Sequence, residues 1–147
     1  INPERAALAA SLGVKFALPD AAPIDCDLVF HTSASAAGLT TALSLAGAEA
    51  TVLELSWYGS QAVSAPLGGA FHSRQLRLQS SQVGHISATR RPRFTYRRRL
   101  SVALELLKDD RLAALLAQPI ALNALPEHLP KILGQPSGIL CQLIHYS

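Results

Sequence analysis

The stretch from Cys26 to Gly59, CDLVFHTSASAAGLTTALSLAGAEATVLELSWYG, limits the possible folds more than any other part of the chain. Its apolar pattern predicts strand, turn, helix, strand. Asp27–His31 is a short apolar run containing a β-branched residue. Thr32, Ser33, Ala34 and Ser35 are small, as at a turn where backbone must approach something closely. From Ala36 to Leu45 the apolar residues recur at helical spacing, with Leu39, Leu43 and Ala46 on one stripe. Ser35 is placed to cap this helix through its hydroxyl. Gly47 stands where a helix-terminating glycine is expected. Ala50–Leu55 is apolar and β-prone again. Two buried strands joined by one helix make the βαβ unit of a parallel sheet. Ligands of such sheets bind beyond the carboxyl ends of the strands. Here those ends are His31–Ser35 and Leu55–Tyr58. Adjacent strand ends also bring His31 near Glu54, where each can shift the other's ionisation.

The rest of the chain follows the same alternation. Asn2 can cap a helix with Pro3 in its first position and Glu4 near its positive end. That helix runs over Ala6–Leu12 and stops at Gly13, and Val14–Leu18 reads as a short strand. Gly59–Phe71 is irregular. His72–Ser81 alternates, with Leu76 and Leu78 on one side. Arg97–Leu107 is a helix with Leu100, Leu104 and Leu107 on one face. A second short helix spans Arg111–Ala117, an extended piece Pro119–Leu122, a further helix Leu125–Leu133 and a closing strand Gly138–Tyr146. The fold class expected is α/β, a partial doubly wound parallel sheet followed by a segment that packs elsewhere.

Totals narrow the class. With 49% apolar and 16% charged residues, the 147-residue chain is globular rather than disordered. No apolar run reaches the roughly 20 residues that cross a bilayer. The chain contains no Met, which sets the expectation of a piece of something longer. Cys26 and Cys141 show no metal-ligand or disulfide spacing and read as thiols of a cytoplasmic protein. His72, His85, His128 and His145 show no ligand spacing either. The net charge of +3 comes mainly from Arg90, Arg91, Arg93, Arg97, Arg98 and Arg99. Phe94 and Tyr96 alternate with them, which is the minimum a nucleic-acid surface needs. A solvated helix start explains the same run, so nucleic acid is the lesser reading.

Several segments, in this order, resemble the medium-chain dehydrogenase/reductase superfamily, the relatives of zinc-type alcohol dehydrogenases. Ile1-Asn2-Pro3-Glu4-Arg5 resembles the D-x-N-x-x-R segment that follows the family's second nucleotide-binding strand. Asp27–Ser33 resembles its next-but-one strand, Ala50–Leu55 the one after, and Leu76–Ser81 the last. Arg98–Leu107 resembles the helix leading back to a catalytic domain. The resemblance implies that residues 1–81 are the C-terminal part of an NAD(P)-binding Rossmann domain, and that 82–147 return to a GroES-like catalytic domain. It implies hydride transfer between a nicotinamide cofactor, NAD or NADP, and an alcohol or carbonyl substrate, with the chain inactive when taken alone.

By the same resemblance Ile1 lies against adenine and Arg5 near the adenosine ribose or its phosphate. Thr32 and Ser33 pass the nicotinamide ribose. Leu53, Glu54 and Leu55 bring backbone near the carboxamide, with Ser81 on the other side. It also implies association of copies through sheet edges, here near Leu76–Leu78. Zinc belongs to the family's catalytic domain and is not assigned to this chain. The sequence departs from the family in lacking GxGxxG and in carrying His31 and Glu54 at strand ends that are usually acidic or small and small, respectively. Trp57 and Tyr58 suit a pocket wall or a domain interface. A nucleoside-binding module of another Rossmann-like class accounts for the same βαβ pattern, and both alternatives stay open on the residues alone.

Overall fold

The computed structural model describes residues 2–134 and 138–146. Ile1 therefore lies outside the described residues. The chain divides into two compact units, one of Ala17–Phe94 and one of Ile1–Phe16 with Thr95–Ser147. Helix α1 (Arg5–Ser11) belongs to the second of these, together with the C-terminal residues. The Arg5 guanidinium donates to the Gly138 carbonyl at 3.0 Å, and Arg111 donates to the Leu12 carbonyl at 3.4 Å.

The unit 17–94 is built on a parallel three-stranded sheet in the order β1 (Cys26–His31), β2 (Ala46–Glu54), β3 (Arg77–Ser80). Helix α2 (Ala36–Leu45) makes the crossover from β1 to β2. The Ser35 hydroxyl accepts from the Gly38 amide at 3.0 Å, so the expected cap is in place. Leu39, Ala42 and Leu43 of α2 meet Ala46, Ala50 and Val52 of β2 and Leu76, forming the whole buried apolar core of the described residues. That core covers one face of the sheet. Leu28 and Phe30 of β1 are exposed.

Several expectations need correction. Gly47 is not a helix cap but a buried residue of β2, directly after the helix. A Cβ there would stand 2.6 Å from the Asp25 carboxylate and 3.1 Å from the Asp25 backbone carbon. Close approach of two backbones, not helix termination, requires this glycine. For the same reason Ala46 lies in β2 rather than on the helix stripe. Ala17–Leu18 and the preceding Val14–Phe16 form no strand, because no described strand pairs with them. His72–Ser81 is only half a strand: Ala70–Ser73 is the short helix α3, and the ladder starts at Arg77. Leu76 is buried as expected, but Leu78 is exposed.

In the other unit α1 ends at Gly13, whose φ of +73° suits glycine after a helix. Helix α4 (Tyr96–Leu106) is capped by the Thr95 hydroxyl. Its Leu100 and Leu104, and Leu107 beyond it, are 60%, 56% and 66% exposed. The second short helix is a 3-10 turn over Asp110–Leu115. Strand β4 (Ile120–Ala121) pairs in parallel with β5 (Ile144–His145), and Leu116 bridges to Cys141. The closing strand is therefore much shorter than Gly138–Tyr146. Helix α5 (Leu125–Leu133) lies between them in sequence, as its periodicity predicts.

Candidate functional site at the strand ends

β1 and β2 finish side by side, with His31 opposite Glu54 in the register. An extended chain puts alternate side chains on one side. His31 and Ser33 thus face together, as do Glu54, Ser56 and Tyr58. The five side chains form one hydrogen-bonded cluster. His31 Nδ1 is 2.6 Å from Glu54 Oε2, and His31 Nε2 is 2.7 Å from Ser33 Oγ. Ser33 Oγ is 3.0 Å from Ser35 Oγ. The Ser56 amide donates to Glu54 Oε1 at 2.7 Å, and the Tyr58 hydroxyl donates to Glu54 Oε2 at 3.1 Å. The tyrosine ring also stacks on the imidazole. His31 is buried at 4% exposure, whereas Ser33 is exposed.

Burial by itself raises the Glu54 carboxyl, but hydrogen bonds from Ser56, His31 and Tyr58 outweigh it and hold the group below the ordinary carboxylate range. Burial, together with the bond to Glu54 and its negative charge, pushes the Tyr58 phenol up. Glu54 is therefore ionised at neutral pH and accepts from all three partners. An acceptor at 2.6 Å requires the proton on Nδ1. When the imidazole is neutral, Nε2 is then an acceptor for the Ser33 hydroxyl; when it is protonated, Nε2 donates to Ser33. Ser35, which accepts from the Gly38 amide, has its own proton free for Ser33.

Two backbone features hold the cluster. Ala34 adopts φ +49°, which a residue with a Cβ rarely does, and its amide donates to Ser56 Oγ at 3.0 Å. Gly38 leaves the space that Ser33 occupies: a Cβ there would lie 2.0 Å from Ser33 Oγ and 2.8 Å from His31 Nε2.

The structure brings most of the sequence-predicted residues to this end of the sheet. Thr32 and Ser33 follow β1 and are exposed. Leu53 and Glu54 close β2. The Leu55 amide donates to the His31 carbonyl at 2.9 Å, and the Ser81 amide to the Glu54 carbonyl at 2.9 Å, so three strand ends are tied together. The Glu54 carboxylate is taken up by His31, as the adjacent strand ends suggest, and also by Ser56 and Tyr58. Arg5 belongs to the other unit, where it lines a shallow pocket with Leu8 and Leu140. Trp57 is 88% exposed. Ser56 and Gly38 were not legible as site residues. The alternation Glu54-x-Ser56-x-Tyr58 is the signal that points to Ser56, whereas nothing in the sequence around Gly38 marks it. Among the described residues no three His, Cys, Asp or Glu side chains gather as a metal site. No described helix is long and apolar enough to cross a membrane. The arginine run is split, Arg90–Arg93 in one unit and Arg97–Arg99 on α4.

No family model matches the sequence, and no curated protein matches it. Solved structures do. The 2R,3R-butanediol dehydrogenase of Bacillus subtilis matches with a TM-score of 0.71 at 16% identity, over 99% of this chain and 42% of that one. The L-idonate 5-dehydrogenase of Escherichia coli matches with a TM-score of 0.70 at 16% identity, over 98% and 40%. The Bacillus subtilis protein yhfP, solved with NAD bound, matches with a TM-score of 0.64 at 16% identity, over 97% and 44%. The chain thus has a fold found within these three proteins and spans about two fifths of their length.

Proposed function

We propose that this chain is the C-terminal portion of a medium-chain dehydrogenase/reductase that moves a hydride between NAD or NADP and an alcohol or carbonyl substrate. The observation that supports this most is the parallel sheet whose three strand ends converge on small, hydrogen-bonded residues, in a fold shared over nearly all of the chain with two dehydrogenases and a protein solved with NAD bound. Strand ends of this kind hold nucleotides because the turns beyond them leave room for a flat ligand against backbone.

In this reading the nicotinamide half of the cofactor lies across Thr32, Ser33, Leu53, Glu54, Leu55 and Ser81. The small residues at 32–35 fit such a group, since the left-handed Ala34 keeps the turn low. Arg5 and Ile1 would serve the adenosine half. The cofactor supplies the hydride chemistry when bound. The chain's residues position it: Leu55 and Ser81 fix the strand ends, and the His31–Glu54 pair stiffens the turn that carries Ser33. Any zinc would sit on residues of a catalytic domain, outside this chain. The exposed apolar face of Leu100, Leu104 and Leu107 suits packing on such a domain. The free edge of β3 suits pairing with a second copy. Both described cysteines are free thiols, which fits the cytoplasm.

The sequence has no glycine-rich diphosphate cradle, so binding by this chain is weak. Titration with NADH, followed through nicotinamide fluorescence, is expected to saturate with a Kd on the order of 1 mM, about −4 kcal/mol. No saturable change, or the same change with the Thr32→Trp/Ser33→Trp double variant, would count against this placement.

A further inference from the structure

Ser33, His31 and Glu54 are bonded in the sequence hydroxyl, imidazole, carboxylate, at 2.7 and 2.6 Å. The terminal hydroxyl is exposed and the imidazole buried. In its neutral form the imidazole has Nε2 placed to receive the Ser33 proton, while Glu54 holds Nδ1–H and opposes the positive charge that would form. Serine hydroxyls gain nucleophilic reactivity from this arrangement, whatever fold supplies it. The surroundings are built for it. Gly38 alone leaves space for Ser33 Oγ beside Nε2, and Ser33 is presented on a turn strained at Ala34. The amides of Ala36 and Ala37, in the first turn of α2, have no acceptor among the described residues. They stand at the positive end of the helix, where developing negative charge is stabilised.

We infer that Ser33 is a nucleophile toward small carboxylic esters, with His31 as its general base and Glu54 orienting the imidazole. Nothing in this depends on a nicotinamide cofactor. The Ser33 oxygen bonds to the ester carbonyl carbon as its proton passes to His31 Nε2. Collapse breaks the bond from that carbon to the alkoxy oxygen, which takes the proton from His31 and leaves as an alcohol. Water then adds to the acyl-serine with His31 as base, releasing the carboxylic acid and restoring the hydroxyl. Ser33 and His31 are the catalytic residues. Glu54 is a positioning residue.

The test is covalent labelling of the full chain with a fluorophosphonate, read by intact mass and peptide mapping, beside hydrolysis of p-nitrophenyl acetate. One adduct on Ser33 is expected, absent in Ser33→Ala and in urea-unfolded protein. His31→Gln is expected to slow labelling by about 10²–10⁴-fold. Gly38→Ala, which leaves all three side chains present, should slow it as well. Ester hydrolysis should fall with labelling in each variant. No adduct on Ser33, or equal labelling of folded and unfolded protein, overturns the inference. Circular dichroism separates a folded, slow variant from an unfolded one, and the comparison of folded with unfolded native sequence decides the matter if no His31 variant folds.

Discussion

Leu43→Ala is expected to lower the stability of the unit 17–94 by about 2–5 kcal/mol, the range for emptying a leucine site in a packed core. Leu43 is 3% exposed and sits among Leu39, Ala42, Val52 and Leu76. Of its neighbours, Ala42 and Val52 are too short to reach into the hole. The core has seven members among the described residues, so one leucine is a large share of the apolar burial that holds α2 to the sheet. Urea unfolding followed by far-ultraviolet circular dichroism reads the loss as a lower midpoint at unchanged slope. Leu104→Ala is the comparison. At 56% exposure Leu104 is expected to change stability by less than about 0.5 kcal/mol. Equal effects from the two would show that the core is not where the structure puts it.

Glu54→Ala carries the second large effect, about 2–4 kcal/mol. The substitution strands three donors at once: the Ser56 amide, the His31 ring and the Tyr58 hydroxyl. Glu54→Gln keeps one acceptor but turns an amide hydrogen toward a donor, so it recovers only part of the loss. Acid should show the same dependence. The folded carboxyl titrates below its unfolded value, so its contribution is complete above the ordinary glutamate pKa of about 4.3. That contribution disappears as pH falls through the lower folded value. As pH falls from neutral through the ordinary glutamate range and below it, the unaltered protein should therefore lose stability faster than Glu54→Gln. Parallel curves would mean the carboxylate is not held by these bonds.

Local pattern made the central unit readable, and long-range contact made the rest unreadable. The helical spacing of Leu39 and Leu43 and the small cap Ser35 specify α2 without help from elsewhere. Gly47 misled because a glycine after an apolar helix ordinarily ends it, whereas here the close approach of Asp25, distant by 22 residues, sets its identity. Val14–Leu18 has strand composition but no strand beside it, and a strand exists only as part of a ladder. His72–Ser81 alternates in sequence, but α3 takes its first residues. At the site, neighbouring strand ends were enough to pair His31 with Glu54. The link from His31 to Ser33 needed the turn geometry at Ala34, which composition does not encode. Gly38 belongs to the site only because of what a Cβ would strike.

The account stands on a ligand lying across the ends of β1, β2 and β3. Amide resonances of the isotope-labelled chain, followed while NADH is added, test this most directly. Shifts concentrated at Thr32, Ser33, Leu55 and Ser81 are the predicted result. Shifts confined to Arg90–Arg99, or none near the strand ends at millimolar NADH, would contradict it.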